Sequence, residues 1–447
     1  MTAARAATHN PPNAMASRGS SSGSWVAMCI LGACILLPYN ALLTAQPYFE
    51  DHAFKGMGFP FTSMLIYSGF LSTSQVLLTF GGEALMLQTR MTAAFASALL
   101  VCLLLVLWAV LTRQTAHSSA LYGLTLATLA VLALSNSLMQ TAVLGVAGAI
   151  GPEMSAAVMV GLGFCGLVIL GTSLLVQAIE SARGVDEANG DAGLMVAVVL
   201  FVECLLCTIA SIWVYFVYLT RRNSQASAVI ASLEAQRKGR NQGENTRAFD
   251  MEHVLEAGTS NGSEVSESTW RRGAVVLREI APQAVNVVSI FLVTMSVFPG
   301  VVLSWQPGSG SAFHAKVLLF RTLLLGAFQL FDVIGRSAAQ GCSRCIAPQR
   351  IWVIVLLRFA LVPLFMLGQR KPELSVLCGS DGGRLLLVAA LAFTNGLAAS
   401  LSMMAGPLLC PDARREVAGM AMSCVMVTGI FAGSLLALLT QLGIHAS

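Results

Sequence analysis

Apolar residues run in stretches of roughly 20 or more along almost the whole chain, broken by short polar or Gly- and Pro-rich punctuation. A stretch of that length crosses a hydrocarbon layer of about 30 Å as one α-helix. The pattern predicts spans at about 25–49, 61–82, 92–112, 119–149, 155–179, 193–219, 277–303, 314–340, 349–368, 384–409 and 416–443. Breakers stand between them, among them Gly56 to Pro60, Gly81-Gly82, Gly151-Pro152, Gly308 to Gly310, Pro348 and Pro411-Asp412. The expected fold class is therefore all-α and integral to the membrane, with about eleven transmembrane helices. Several spans exceed the minimum length and are expected to tilt or kink.

One long polar stretch, about 220–276, interrupts this rhythm. It holds Arg221-Arg222, Arg237-Lys238-Gly239-Arg240 and Arg271-Arg272 among many Ser, Asn and Glu. Too few apolar residues are present to offset the entropy of ordering them, so it reads as a flexible linker. The resulting division is a tail at 1–24, a six-helix bundle at 25–219, the linker at 220–276 and a five-helix bundle at 277–447. A six-plus-five split suggests two bundles flanking a central path, as in many transporters.

Composition sharpens the class. Hydrophobic residues make up 56% of 447 and charged residues 11%, whereas a soluble domain carries about 25% charge. Mean hydropathy is +0.74. A net charge of +4 without a basic stretch interleaved with aromatics gives no support for nucleic-acid binding. Cysteines such as Cys29, Cys34, Cys102, Cys165 and Cys424 sit inside apolar runs, where they act as small hydrophobes rather than as a disulfide framework. Residues 1–24 lack the apolar core of a secretory signal, so the first span is expected to be retained and the tail before it disordered.

Lys and Arg are more frequent in the loops that lie inside if the N-terminus does, with Arg221-Arg222 and Arg271-Arg272 close to helix ends. The expected orientation is N-terminus cytosolic and C-terminus outside. The sequon Asn261-Gly262-Ser263 then faces the cytosol and carries no glycan.

Polar residues within spans are costly and usually face the bundle interior. In Phe331-Asp332-Val333-Ile334-Gly335-Arg336, Asp332 and Arg336 lie four apart on one helix face and can pair. They read either as the border of a substrate path or as a structural ion pair. Gln140, with Asn136 and Thr141, and Asn395, with Ser400, fit a ligand edge or helix–helix hydrogen bonding. Glu203 fits a protonation site, with a proton as co-substrate, or a neutral carboxyl bonded to a backbone carbonyl. Arg358 and Arg321 read as snorkelling or pairing near helix ends.

Two motifs are set aside. Gly161-Leu162-Gly163-Phe164-Cys165-Gly166 matches a dinucleotide pattern, but its glycines lie inside an apolar span, where they permit close helix contact. Cys342-Ser343-Arg344-Cys345 has no second ligand pair, so no metal site is expected. His52, His117, His314 and His445 lie in or near loops, and no nucleophile–base set stands out, so neither an enzyme nor a cofactor is expected.

The residues resemble a known family. Phe328-Gln329-Leu330-Phe331-Asp332-Val333-Ile334-Gly335-Arg336 is similar to the FNxFDxxGR signature of the equilibrative nucleoside transporters. Leu36-Leu37-Pro38-Tyr39-Asn40 resembles that family's first-span LLPWN motif, and Gln140 with Gly145-Val146-Ala147-Gly148 resembles its fourth span. Val297-Phe298-Pro299-Gly300, Arg358 with Leu361-Val362-Pro363-Leu364, Thr394-Asn395-Gly396 and Glu416-Val417-Ala418-Gly419 follow in family order. Tyr39 stands for the usual Trp, Gln329 for a frequent Asn, and Leu162 for the Gln of a GQG.

The resemblance implies a 6+5 pseudo-symmetric, major-facilitator-like bundle that moves nucleosides or nucleobases by alternating access; the expected residence is the plasma membrane. It implies that Asp332 and Arg336 bind the ribose or a polar base edge and that Gln140 reads the base. Leu36 and Tyr39 then line the cavity, Asn40 supports the first span, and Gln329 and Asn395 belong to the same site. Another small polar cargo such as a sugar, or a non-transporting receptor or scaffold, stands as the alternative.

Overall fold

The computed structural model describes residues 22–57, 59–81, 85–114, 118–183, 191–224, 226–239, 262–308, 317–370 and 379–446. Most of the tail, the sequon at Asn261, His117 and His314 lie outside them. The described chain is helical. Six helices come first: α1 (Ser22–Tyr48), α2 (Phe59–Phe80), α3 (Leu87–Gln114), α4 (Ser119–Ile150), α5 (Pro152–Ala182) and α6 (Asp191–Trp213), the last widening into a π-helical turn at Val214–Arg222. A short helix, α7, follows at residues 226–239. Then come α8 (Gly262–Val297), the short α9 (Gly300–Ser304), α10 (Val317–Cys342), α11 (Ile351–Phe359), α12 (Leu361–Arg370), α13 (Asp381–Ala405) and α14 (Arg415–Ala446).

Ten stretches among the described residues are long and apolar enough to cross a membrane, α11 and α12 together forming one of them. The eighth expected span, α10, is long enough at 26 residues. Arg321, Thr322, Gln329, Asp332, Arg336, Ser337 and Gln340 lower its hydropathy. It packs along α13 and α5. Side chains such as Leu65, Phe70, Leu103, Leu175, Leu206, Leu357 and Leu386 stand exposed on the outer faces. Water would penalise that surface, and lipid accepts it.

Local chemistry explains the joints. Gly151 is the entire link between α4 and α5, and its φ of +152° is a conformation L side chains rarely adopt. Pro152 opens α5, where its missing N–H costs nothing. Ser118 caps α4 by accepting from the Leu121 N–H, and Ser380 caps α13 by accepting from the Gly383 N–H. The ninth span breaks at Ala360, three residues before Pro363.

The stretch expected as a flexible linker is helical at both ends, which corrects that expectation. Asn223 caps α7 through the Ala226 N–H at 2.9 Å. Ala226, Ile230, Leu233, Glu234 and Arg237 recur at helical spacing and are buried along one face. At the far end α8 already begins at Gly262. The average composition of 220–276 hid a short amphipathic stripe that has a surface to dock on. Residues 240–261 lie outside the described set.

Helices α1–α6 and α8–α14 meet along a seam. Helix α5 lies against α10 and α13, and α14 lies against α2 and α4. At the end nearest α7 the seam is tightly joined. Gly148 and Gly145 of α4 meet α14, and a methyl on Gly148 would stand 2.9 Å from the Arg415 carbonyl. Arg237 of α7 pairs with Glu416 of α14 at 2.5 Å and donates to the Leu85 carbonyl. Glu234 accepts from the Gln88 N–H at 2.8 Å. Thr79 donates to the Met420 carbonyl and Gln75 to Ser423.

Candidate functional site

Helices α10 and α13 cross closely because each brings a glycine to the crossing. Gly335 faces the Phe393 carbonyl and Gly396 faces the Asp332 carbonyl, so a methyl on either would press on backbone. The approach delivers Asn395 to Asp332. Arg336 Nε donates to Asp332 Oδ2 at 2.6 Å, and Asn395 Nδ2 donates to Asp332 Oδ1 at 2.8 Å. All three residues are buried. The carboxylate thus has one protein donor on each oxygen and further acceptor capacity left over. Its partner charge sits one helical turn away, which lessens the cost of holding either ion in a low-dielectric layer.

Arg336 also reaches across the seam. Its Nη1 donates to the Met159 carbonyl of α5 at 3.2 Å. Gly163 lies against the Arg336 side chain and Gly166 against Gln329, so the glycine run in α5 serves close helix contact. Its third glycine, Gly161, lies against the Cys29 carbonyl of α1.

The α1 residues arrive at the same junction through Cys165. Asn40 Nδ2 donates to Cys165 Sγ at 3.0 Å. Cys165 follows by two residues Gly163, which lies against the Arg336 side chain. Tyr39 stacks on Tyr67, with ring centroids 3.7 Å apart and planes inclined by 8°. Asn136 Nδ2 holds the Tyr67 hydroxyl at 2.8 Å. Leu36 is half-buried one turn before Tyr39. Gln140 follows Asn136 by one turn of α4, and its buried Nε2 has no hydrogen-bond partner. A buried amide N–H in that condition costs free energy unless a ligand or water satisfies it.

Other expectations fall elsewhere. Glu203 of α6 is half-buried and accepts from the Thr172 hydroxyl of α5 at 3.3 Å; its Oε2 has no partner. The expected bond to a backbone carbonyl is replaced by one from a side chain. Arg358 lies in the last turn of α11, near a helix end as expected, but it does not snorkel. It is fully buried and bonds to Thr294, Leu391, Thr394 and Asn395. Cys342 and Cys345 are free thiols. Among the described residues no three His, Cys, Asp or Glu are grouped to hold a metal ion.

Sequence reasoning passed over Tyr67, Thr294 and Cys165 as site neighbours. Tyr67 and Thr294 are polar atoms inside spans, a usable signal. Cys165 carried none, because its importance comes from what surrounds it.

Comparison with known proteins gives a consistent picture. A family model described as nucleoside transporter matches residues 126–442. Human equilibrative nucleoside transporter 2 is 25% identical over 93% of this chain and 96% of its own. Rat equilibrative nucleoside transporter 1 is 24% identical with the same coverage. Equilibrative nucleotide transporter 6 of Arabidopsis thaliana is 23% identical over 91% of this chain and 92% of its own. Among solved structures, the major facilitator superfamily transporter FucP in its outward conformation superposes with a TM-score of 0.55 at 13% identity, covering 95% of this chain and 92% of that one. The proton:xylose symporter XylE gives 0.54 at 12% identity over 95% and 89%. These likenesses establish a major-facilitator fold.

Proposed function

Because this chain belongs to the nucleoside transporter family, we propose that it carries nucleosides or nucleobases across a membrane by alternating access. The cargo sits between the two bundles. The observation that supports this most is the α5 junction, where Gly163 lies against Arg336 of the Asp332–Arg336 pair and Cys165 bonds Asn40, next in α1 to Tyr39 with its stack on Tyr67. A nucleoside offers an apolar ring face and a rim of hydroxyls and ring nitrogens. Aromatic faces, an amide and a charge pair match both parts.

Each residue has a role in this reading. Asp332 accepts from ribose hydroxyls through the lone pairs that Arg336 and Asn395 leave open. Arg336 donates to a ring or ribose oxygen while holding α5 to α10. Gln140 uses its unpartnered N–H on the base edge. Tyr39 and Leu36 line the apolar side, Asn40 supports α1, and Gln329 borders the path. Movement consists of the bundles rocking about this point, which requires the contacts at the α7 end of the seam to part.

The bundles are taken as 25–219 and 277–447, with the N-terminus cytosolic, the C-terminus outside and the plasma membrane as residence. Glycan on Asn261 in cells would reverse that orientation. Uptake of radiolabelled adenosine, uridine and hypoxanthine by transport-null cells expressing the chain tests the function. Saturable uptake of at least one is expected, and none at all would sink the proposal. Excess sugar that competes when nucleosides do not would move the cargo to another class.

A proton enters the reading through Glu203, whose half-buried carboxyl has an unpartnered oxygen. Uptake stimulated at acid pH, with the stimulation lost in Glu203→Gln, would support coupling. Uptake independent of pH would leave Glu203 a structural partner of Thr172.

A further inference from the structure

Arg358 has the largest set of polar contacts of any side chain around the charge pair, yet it does not bond to the carboxylate. It enters from α11 and is fully buried. Its Nη1 donates to the Leu391 carbonyl at 2.8 Å and to the Thr394 hydroxyl on α13. Its Nη2 donates to the Thr294 hydroxyl on α8 and points at Asn395 Oδ1 at 3.4 Å. The Thr294 hydroxyl lies 2.7 Å from the same Oδ1.

A guanidinium can only donate. An amide oxygen facing Arg358 and Thr294 therefore stays an oxygen, and the amide nitrogen is turned to Asp332. Without Arg358 the Asn395 amide has two orientations open to it. One of them aims its oxygen at the carboxylate and repels it.

We propose that Arg358 is a positioning residue for cargo binding. It fixes the orientation of the Asn395 amide, and through it the placement of Asp332 and the free edge of Arg336. This inference rests on the reading of Asp332 and Arg336 as the cargo site. Lys in place of Arg358 supplies the charge but not the planar fork that reaches α8 and α13 together, so it does not substitute.

The experiment measures KM and Vmax of uridine uptake per surface molecule for the full chain. The variants are Arg358→Gln, Asn395→Leu, the double variant of these two, and Thr294→Val alone and in the Asn395→Leu background. If Arg358 acts through Asn395, each of the first two raises KM by roughly tenfold, the loss of one buried bond to a charged partner. The double variant then stays near tenfold instead of reaching a hundredfold. Thr294→Val, which keeps the charge of Arg358, raises KM by about threefold and adds nothing in the Asn395→Leu background.

Multiplying effects in the double variant, or an unchanged KM in Arg358→Gln at normal surface level, overturns the proposal. If Arg358→Gln does not reach the surface, Thr294→Val decides: an unchanged KM overturns it, and a raised KM absent in the Asn395→Leu background supports it. Absence of uptake by the unmodified chain would instead sink the functional reading.

Discussion

On the C-terminal side of the seam, Asp332 is bonded by Arg336 and Asn395, and Asn395 in turn is held by Thr294 and Arg358. Among the described residues the N-terminal side places no charge at the corresponding junction; it offers the Tyr39–Tyr67 stack and amides, one of which has an unused N–H. The contrast follows from what each group costs in a low-dielectric layer. An unpaired ion there is penalised by several kcal/mol, so a charged wall has to be complete before cargo arrives. A lone amide N–H costs about 1–3 kcal/mol, small enough to be left waiting. The first wall is built for position, and the second is free to recognise.

Breaking the charged wall has the largest expected effect. Asp332→Ala leaves Arg336 without its carboxylate, a loss of about 3–5 kcal/mol for a broken buried pair. Uptake per surface molecule is expected to fall more than a hundredfold, read by radiotracer uptake beside surface biotinylation. Normal uptake by this variant would remove Asp332 from the site.

Gly396→Ala attacks the same wall through backbone. Its methyl meets the Asp332 carbonyl, and overpacking of this kind costs about 1–3 kcal/mol. A lower melting temperature in detergent, with uptake reduced in parallel, is expected.

The recognising wall responds differently. Gln140→Leu is expected to stabilise the protein slightly, because a buried N–H without a partner disappears, while uridine or adenosine KM rises by about threefold to tenfold. Melting and uptake thus move in opposite directions. If both fall together, Gln140 is a packing residue and the contrast between the walls weakens.

Tyr67→Phe has the smallest effect. It removes one bond, from Asn136, worth about 1 kcal/mol, and leaves the ring stack in place. KM is expected to change by no more than about fivefold.

Much of this arrangement was legible in the chain itself. Long apolar runs predicted the spans, and the i, i+4 spacing predicted the Asp332–Arg336 pair that the structure forms. Arg358 was misread because its position in a span says nothing of which neighbours surround it. The acceptors that hold it come from residues 64 and 36 positions away in sequence. Helix α7 was missed for a related reason. Its apolar stripe is too short to stand out in a polar stretch, and the surface that receives it belongs to other helices.

The clasp between Arg237 and Glu416 has a consequence for how the protein can be cut. Residues 240–261 connect the two halves by covalent bonds, but α7 already joins them through an ion pair. Two separately translated fragments, divided after Gly239, would leave the clasp on the first fragment, with its receptor intact on the second. Such fragments are expected to find each other and restore uptake when co-expressed. Divided instead before Asn223, the same sequence would hang α7 from the wrong fragment, and complementation should weaken.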